Sequence, residues 1–166
     1  MSTETLFGVQ VLFQNEALYA AAGGDRIAAM KAHVDAAASL GVDVIRFPGD
    51  WRAFEEQGQG QYSAWYVEEV TATLAYAKSL GISVVMTFAQ TPYWATSQTA
   101  DPNSQDAIWT PPVGEAAQAY AQALVAFHGE MEAAGVLDAI KAWEIWNEPN
   151  AMDFWSGSQL REGTDV

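Results

Sequence analysis

The chain has 166 residues, half of them hydrophobic, which is enough for one buried core and too little for a large two-domain enzyme. Twenty-one acidic side chains against 7 Lys and Arg give a formal net charge of -14, which argues against nucleic acid or an anionic membrane as partner and suits a soluble protein with a neutral or cationic ligand. There is no cysteine, so disulfides, thiolate catalysis and Cys-type zinc sites are excluded, and no apolar run approaches the ~18 residues of a membrane span.

The start, MSTETLFGVQVLFQNEAL, has neither a basic leader region nor a long apolar stretch, so no export signal is visible and the compartment stays open. Residues 6–13, LFGVQVLF, form the first strand-like run. Residues 25–41 place Ile27, Met30, Val34, Ala37, Ala38 and Leu40 at helical spacing, with an Asp start and a Gly stop. VDVIRFP follows as a strand ended by Pro48. Residues 63–81 are a second helix with Ser63 as N-cap and Gly81 as stop, and ISVVMTFA is a β-branched strand. A polar loop spans 90–112, a third helix ends at Gly135, and KAWEIWN, residues 141–147, is the fourth strand. The tail, SGSQLREGTDV, is polar and is either frayed or the start of a further helix.

SLGVDVIRF at 39–47 and SLGISVVMTF at 79–88 repeat a helix end, a Gly stop and an apolar strand, and AAGVLDAIKAWEIW is a looser third copy. Each unit is therefore αβ, with strands expected to be buried on both faces. Repeated right-handed βα units build parallel sheets. Two architectures accept four such units: an open doubly wound sheet, or half of a (β/α)8 barrel. The segment after the first strand, QNEALYAAAGGD, lacks GxGxxG and GxxxxGK[ST], which removes the commonest reason for an open nucleotide-binding sheet. Asn15, Arg46, Gln90, Asn147 and Glu148 instead fall at the C-terminal strand ends, which share one mouth in a barrel. No linker or second domain is visible in residues 1–166.

The stretch WEIWNEPN carries the chemistry. A carboxylic acid delivers a proton to a poor leaving oxygen near neutral pH if burial raises its pKa. Glu148 ends a strand rich in Trp, where desolvation would have that effect. WEIWNEPN resembles the fourth-strand signature of the clan of retaining glycoside hydrolases with (β/α)8 barrels, which includes cellulase-like, mannanase-like and β-xylosidase-like families. RFP at 46–48 resembles the clan's second-strand Arg, and TPYWA at 91–95 its Pro-aromatic turn. The resemblance covers nearly all of this chain but about half of a barrel. It implies that Glu148 is the acid/base, that Asn147 holds the sugar 2-hydroxyl and that Arg46 orients the nucleophile. It also implies a carbohydrate substrate and no cofactor, and the residues show no metal-ligand spacing and no Ser-His-Asp arrangement.

Several side chains have a competing structural assignment. Arg46 also suits an ion pair with Glu144, which alternation places in phase with Glu148 on the strand. Aromatic faces suit the apolar faces of sugar rings. Trp94 and Trp155 are the leading candidates for sugar contact, with Trp51, Trp146, Tyr93 and Gln90 beside them and Trp109 in a strand-end loop. Trp65 and Trp143 are assigned to packing, and His33 and His128 to mid-helix positions.

A retaining glycosidase needs a second carboxylate about 5–5.5 Å from the first. In the clan this Glu closes the seventh strand, and the sequence stops after the fourth. Three explanations compete: the chain is the N-terminal half of a longer enzyme, inactive alone; it pairs with a second copy of itself; or it binds sugar without turnover. A substitute nucleophile from Asp50, Glu55 or Glu56 is the least favoured, with Asp50 the best placed.

Overall fold

The computed structural model describes residues 5–11, 16–98, 101–151 and 155. Asn15, the end of the first strand-like run and the polar tail lie outside the described residues.

Four parallel strands, β1 (Gly8–Gln10), β2 (Val44–Asp50), β3 (Ser83–Ala89) and β4 (Ile140–Ile145), form one sheet in the order β1-β2-β3-β4. Sequential order with parallel pairing follows from one helical crossover between successive strands. The crossovers are α1 (Glu16–Ala21) and α2 (Arg26–Ser39), then α3 (Trp51–Phe54) and α4 (Ala64–Ser79), then α5 (Gln105–Ile108) and α6 (Glu115–Ala133). The three long helices begin and end close to where their caps place them. Asp25 accepts from Ala28 N and Ser63 from Tyr66 N, while Gly41, Gly81 and Gly135 take the left-handed conformation that releases the chain into each following strand. The short helices α1, α3 and α5 have too few residues to show periodicity and were not expected from sequence. Asp50 and Ser104 cap α3 and α5 by accepting from Ala53 N and Ala107 N.

The expectation of strands buried on both faces holds only at the end of β3, where Met86, Thr87, Phe88 and Ala89 are all buried, and is corrected for β2 and β4. Along β2, Ile45 and Phe47 are buried, while Val44, Arg46 and Pro48 between them are only partly covered. The buried set faces the helices. Phe47, Phe54, Phe88 and Phe127 are almost fully enclosed there, with Phe88 and Phe127 stacked at 5.1 Å and Phe54 edge-on to Phe127 at 4.9 Å. The opposite face has no layer over it among the described residues, so Gln10 and Ala142 are exposed there. The helices supply one apolar surface, and a parallel sheet with a single layer alternates rather than reading apolar throughout.

Two strand ends differ from expectation. Pro48 does not stop β2, which runs on to Asp50. Arg46 O accepts from Val11 N, so Pro48, two residues on, turns its missing N–H towards the same side, where the β1 ladder has already ended at Arg46. Gly49 then meets β3 so closely that a Cβ there would overlap Thr87 O. At the other end, β4 stops at Ile145, not Asn147, because Trp146 has φ 69°.

Candidate active site

The inner face is built by register. Pairing of Arg46 with Val85 and of Val85 with Ala142, and of Pro48 with Thr87 and Thr87 with Glu144, lines these residues along the uncovered side. Arg46 Nε donates to Glu144 Oε2 at 2.5 Å and Arg46 Nη2 to Asn147 Oδ1 at 2.7 Å; Thr87 Oγ1 donates to the same Glu144 oxygen at 2.8 Å. The ion pair with Glu144 expected as the alternative role of Arg46 is therefore present, and the same guanidinium also holds Asn147. The Arg46 bond, with that from Thr87, keeps the Glu144 carboxyl below the usual glutamate range.

Asn147 reaches Arg46 because the strand alternation breaks. The left-handed turn at Trp146 buries the indole on the outer side, edge-on to Trp109 at 6.2 Å and to Tyr120 at 6.0 Å. Asn147 then returns to the inner face, three residues after Glu144. The in-phase relation expected between Glu144 and Glu148 is lost at this turn, and Glu148 itself is left-handed at φ 42°. A left-handed non-glycine residue costs on the order of 1 kcal/mol, and two of them flanking Asn147 hold the NEP turn in an uncommon shape. Glu148 is exposed, so the desolvation expected from its Trp-rich strand is not supplied by the described residues.

The aromatic candidates separate. Trp51 is fully buried, its Nε1 donating to Glu55 Oε2 at 2.7 Å, and Trp146 is 3% exposed; both pack the core, and the expectation of sugar contact at either is corrected. They lie next to strand ends, but each turns back under the loops. Trp94 and Tyr93 occupy a single helical turn over Tyr93–Ala95 and are half-buried. Trp94 Nε1 donates to Glu55 O at 2.7 Å, and Tyr93 Oη to Gln98 O at 3.0 Å. Trp155 is partly exposed and lies edge-on to Trp146 at 5.7 Å. Gln90 follows β3 with φ 70° and lines an open cleft. Trp143 packs edge-on to Phe127 at 6.2 Å, as assigned, whereas Trp65 is 48% exposed and leaves the packing group.

Two features escaped the sequence. Glu55 is buried and organises the loop after β2, accepting from Trp51 and from Gly60 N while its carbonyl accepts from Trp94. Asp50, capping α3 at the top of β2, has its carboxyl pushed up to about 6 by burial. Only the Asp before WRAF could have signalled the cap. Among the described residues no three His, Asp or Glu side chains cluster as a metal site, and no helix is long and apolar enough to cross a membrane.

No protein-family model and no curated protein matches the sequence. Solved structures do match. A GH5_18 protein from Bifidobacterium longum subsp. longum ATCC 55813, in complex with Manβ1-4GlcNAc, superposes on 93% of this chain with TM-score 0.62 at 13% identity. A GH5_18 protein from Streptomyces cattleya, with the same disaccharide, superposes on 84% with TM-score 0.60 at 18% identity. A family 39 glycoside hydrolase from Bacteroides cellulosilyticus WH2 superposes on 86% with TM-score 0.56 at 22% identity. The chain spans 37%, 33% and 24% of their respective lengths. The fold is therefore part of the (β/α)8 barrel found in glycoside hydrolases: an α/β half sheet of four parallel strands joined by three helical crossovers among the described residues.

Proposed function

We propose that the chain supplies the acid/base half of the active site of a retaining β-glycoside hydrolase. The observation that carries this is the Arg46–Asn147 bond at the mouth end of the inner face, beside Glu148. Asn147 must present its Oδ1 to the guanidinium, which has only donors, so its Nδ2 is left as the donor for a sugar 2-hydroxyl. Glu148 protonates the leaving glycosidic oxygen while a carboxylate from outside these four βα units attacks the anomeric carbon. Glu148 then takes a proton from the water that releases the sugar. Arg46 uses Nε and Nη2 within the chain and offers its remaining N–H groups to that nucleophile. Closure with the rest of the barrel is what would take Glu148 out of water.

The test is Glu148→Gln in the assembled barrel. Turnover of a glycoside with a poor leaving group falls about 10²–10⁴-fold, while an activated aryl glycoside loses far less in the step that releases the aglycone. Full turnover of the poor-leaving-group substrate would sink the assignment.

A second reading is favoured by the bare inner face and by Ile145, 56% exposed on β4, an edge strand among the described residues. Here the chain is a carbohydrate-binding or self-assembling half-barrel without turnover. An apolar parallel edge invites another copy. Sedimentation velocity showing a dimer, with calorimetric sugar binding and no hydrolysis over long incubation, would favour this reading.

A further inference from the structure

Above the ends of β2 and β3 lies an open cleft of about 280 Å³ lined by Asp50, Arg52, Glu56, Trp65, Gln90 and Ile108. Small-molecule sites start at roughly 300 Å³, so this space suits a single ring. Three of its features match one ligand chemistry. Trp65, 48% exposed, presents an indole as part of the wall. The ring is held: Arg26 stands over it at 5.3 Å from the centroid, and Arg26 is clamped by buried Glu69 through bonds of 2.8 and 3.1 Å. A platform already fixed loses little freedom on binding. Opposite polar groups remain open. Among the described residues Glu56 and Gln90 make no side-chain hydrogen bond, and the Asp50 carboxyl accepts only from backbone N–H groups, those of Ala53 and Arg52. Arg52 Nη1 and Nη2 already donate to Pro102 O at 2.7 Å and to Asn103 Oδ1 at 3.1 Å, and its single charge faces two carboxyl groups in the lining, Asp50 and Glu56, which disfavours an anion.

Resting on the carbohydrate-active reading above, we infer that this cleft is a subsite for one neutral pyranose ring, stacked on Trp65 with its hydroxyls bonded to Asp50, Glu56 and Gln90. A flat apolar ring face meets the indole, and planar carboxylate and amide groups take vicinal hydroxyls. Burial, which pushes the Asp50 carboxyl up to about 6, leaves it an acceptor at neutral pH and adds a donor only as pH falls through that value. The subsite is built entirely within this chain and needs neither Glu148 nor the nucleophile.

The test uses the full 166-residue chain, ¹⁵N-labelled, with cellobiose and methyl β-D-glucopyranoside as probes and methyl β-D-glucuronide as the anionic control. The Trp65 indole N–H, assigned through Trp65→Phe, shifts saturably with the neutral sugars. Trp65→Ala raises Kd about tenfold, the equivalent of one lost aromatic stack, and Glu56→Ala raises it several-fold. Both residues are exposed, so both variants fold. Shifts confined to the indoles of Trp94 or Trp155 would overturn the subsite while leaving the glycoside hydrolase reading intact. Absence of any shift, or tighter binding of the glucuronide, would also overturn it. The hydrolase reading is judged separately by turnover of Glu148→Gln.

Discussion

The two faces of the sheet are built from the same strands and do opposite work. The outer face is a dry aromatic layer, in which Phe54, Phe88 and Phe127 meet with almost no exposure. The inner face carries Arg46, Glu144 and Asn147, joined by hydrogen bonds and partly exposed, with buried Thr87 beneath them. The difference shows that apolar and polar side chains are separated here by the side-chain period of two, since residue i serves the core and residue i+1 the inner face. Open charged pairs contribute little to stability, while a packed aromatic contributes several kcal/mol.

Four substitutions probe that division. Phe127→Ala on the outer side should cost about 3–5 kcal/mol in a urea melt, because it leaves a void among Phe54, Tyr66 and Phe88. A loss below about 1 kcal/mol would mean that the outer layer is not the core. Gly49→Ala should cost about 1–3 kcal/mol, since the new methyl group meets Thr87 backbone oxygen, which has no room to yield. Thermal melts of the alanine variant that match the parent would show that β2 and β3 are further apart than they appear in the structure.

Asp50 sits at the top of the inner face, and its carboxyl responds to pH. Its folded pKa is about 6 against a usual 3.8, so between these values the folded state binds the extra proton. Stability therefore falls as pH rises from about 4 to about 6, on the order of 2 kcal/mol in all. The groups facing it are Arg52 from α3, Glu56 from the turn after it and the Tyr66 hydroxyl, which accepts from Asp50 N. Asp50→Asn keeps an N-cap and removes the charge. The variant should match the parent near pH 4 and exceed its stability above pH 6. A parallel pH profile for the two proteins would rule out Asp50 as the cause.

The smallest effect on stability is expected from Arg46→Met, less than about 1 kcal/mol, because the pair it breaks is open to water. Its signature is different. Glu144 loses the partner that holds its carboxyl low, and its ¹³C-detected titration should move up towards the ordinary glutamate range. An unmoved titration would show that Thr87 alone sets it.

Much of this division was legible in residues 39–47 and 79–88. The repeat of helix end, Gly and apolar strand specified parallel βα units, and Asp25, Ser63, Gly41, Gly81 and Gly135 marked the helix ends to within a residue or two. Such signals are local: a capping oxygen needs only its own backbone, and a left-handed glycine only its own φ. WEIWNEPN likewise singled out Asn147, which the structure bonds to Arg46.

What only the tertiary structure decided depends on neighbours distant in sequence. That Arg46 would hold both Glu144 and Asn147, about a hundred residues away, follows from the β2-β3-β4 register and from the left-handed turn at Trp146. That Trp51 and Trp146 would be buried and Trp65 exposed follows from how the loops after each strand fold back, since a tryptophan serves equally well as core or as platform. Composition and local pattern settle which elements form. The packing of one element on another settles which face of each side chain is left for chemistry.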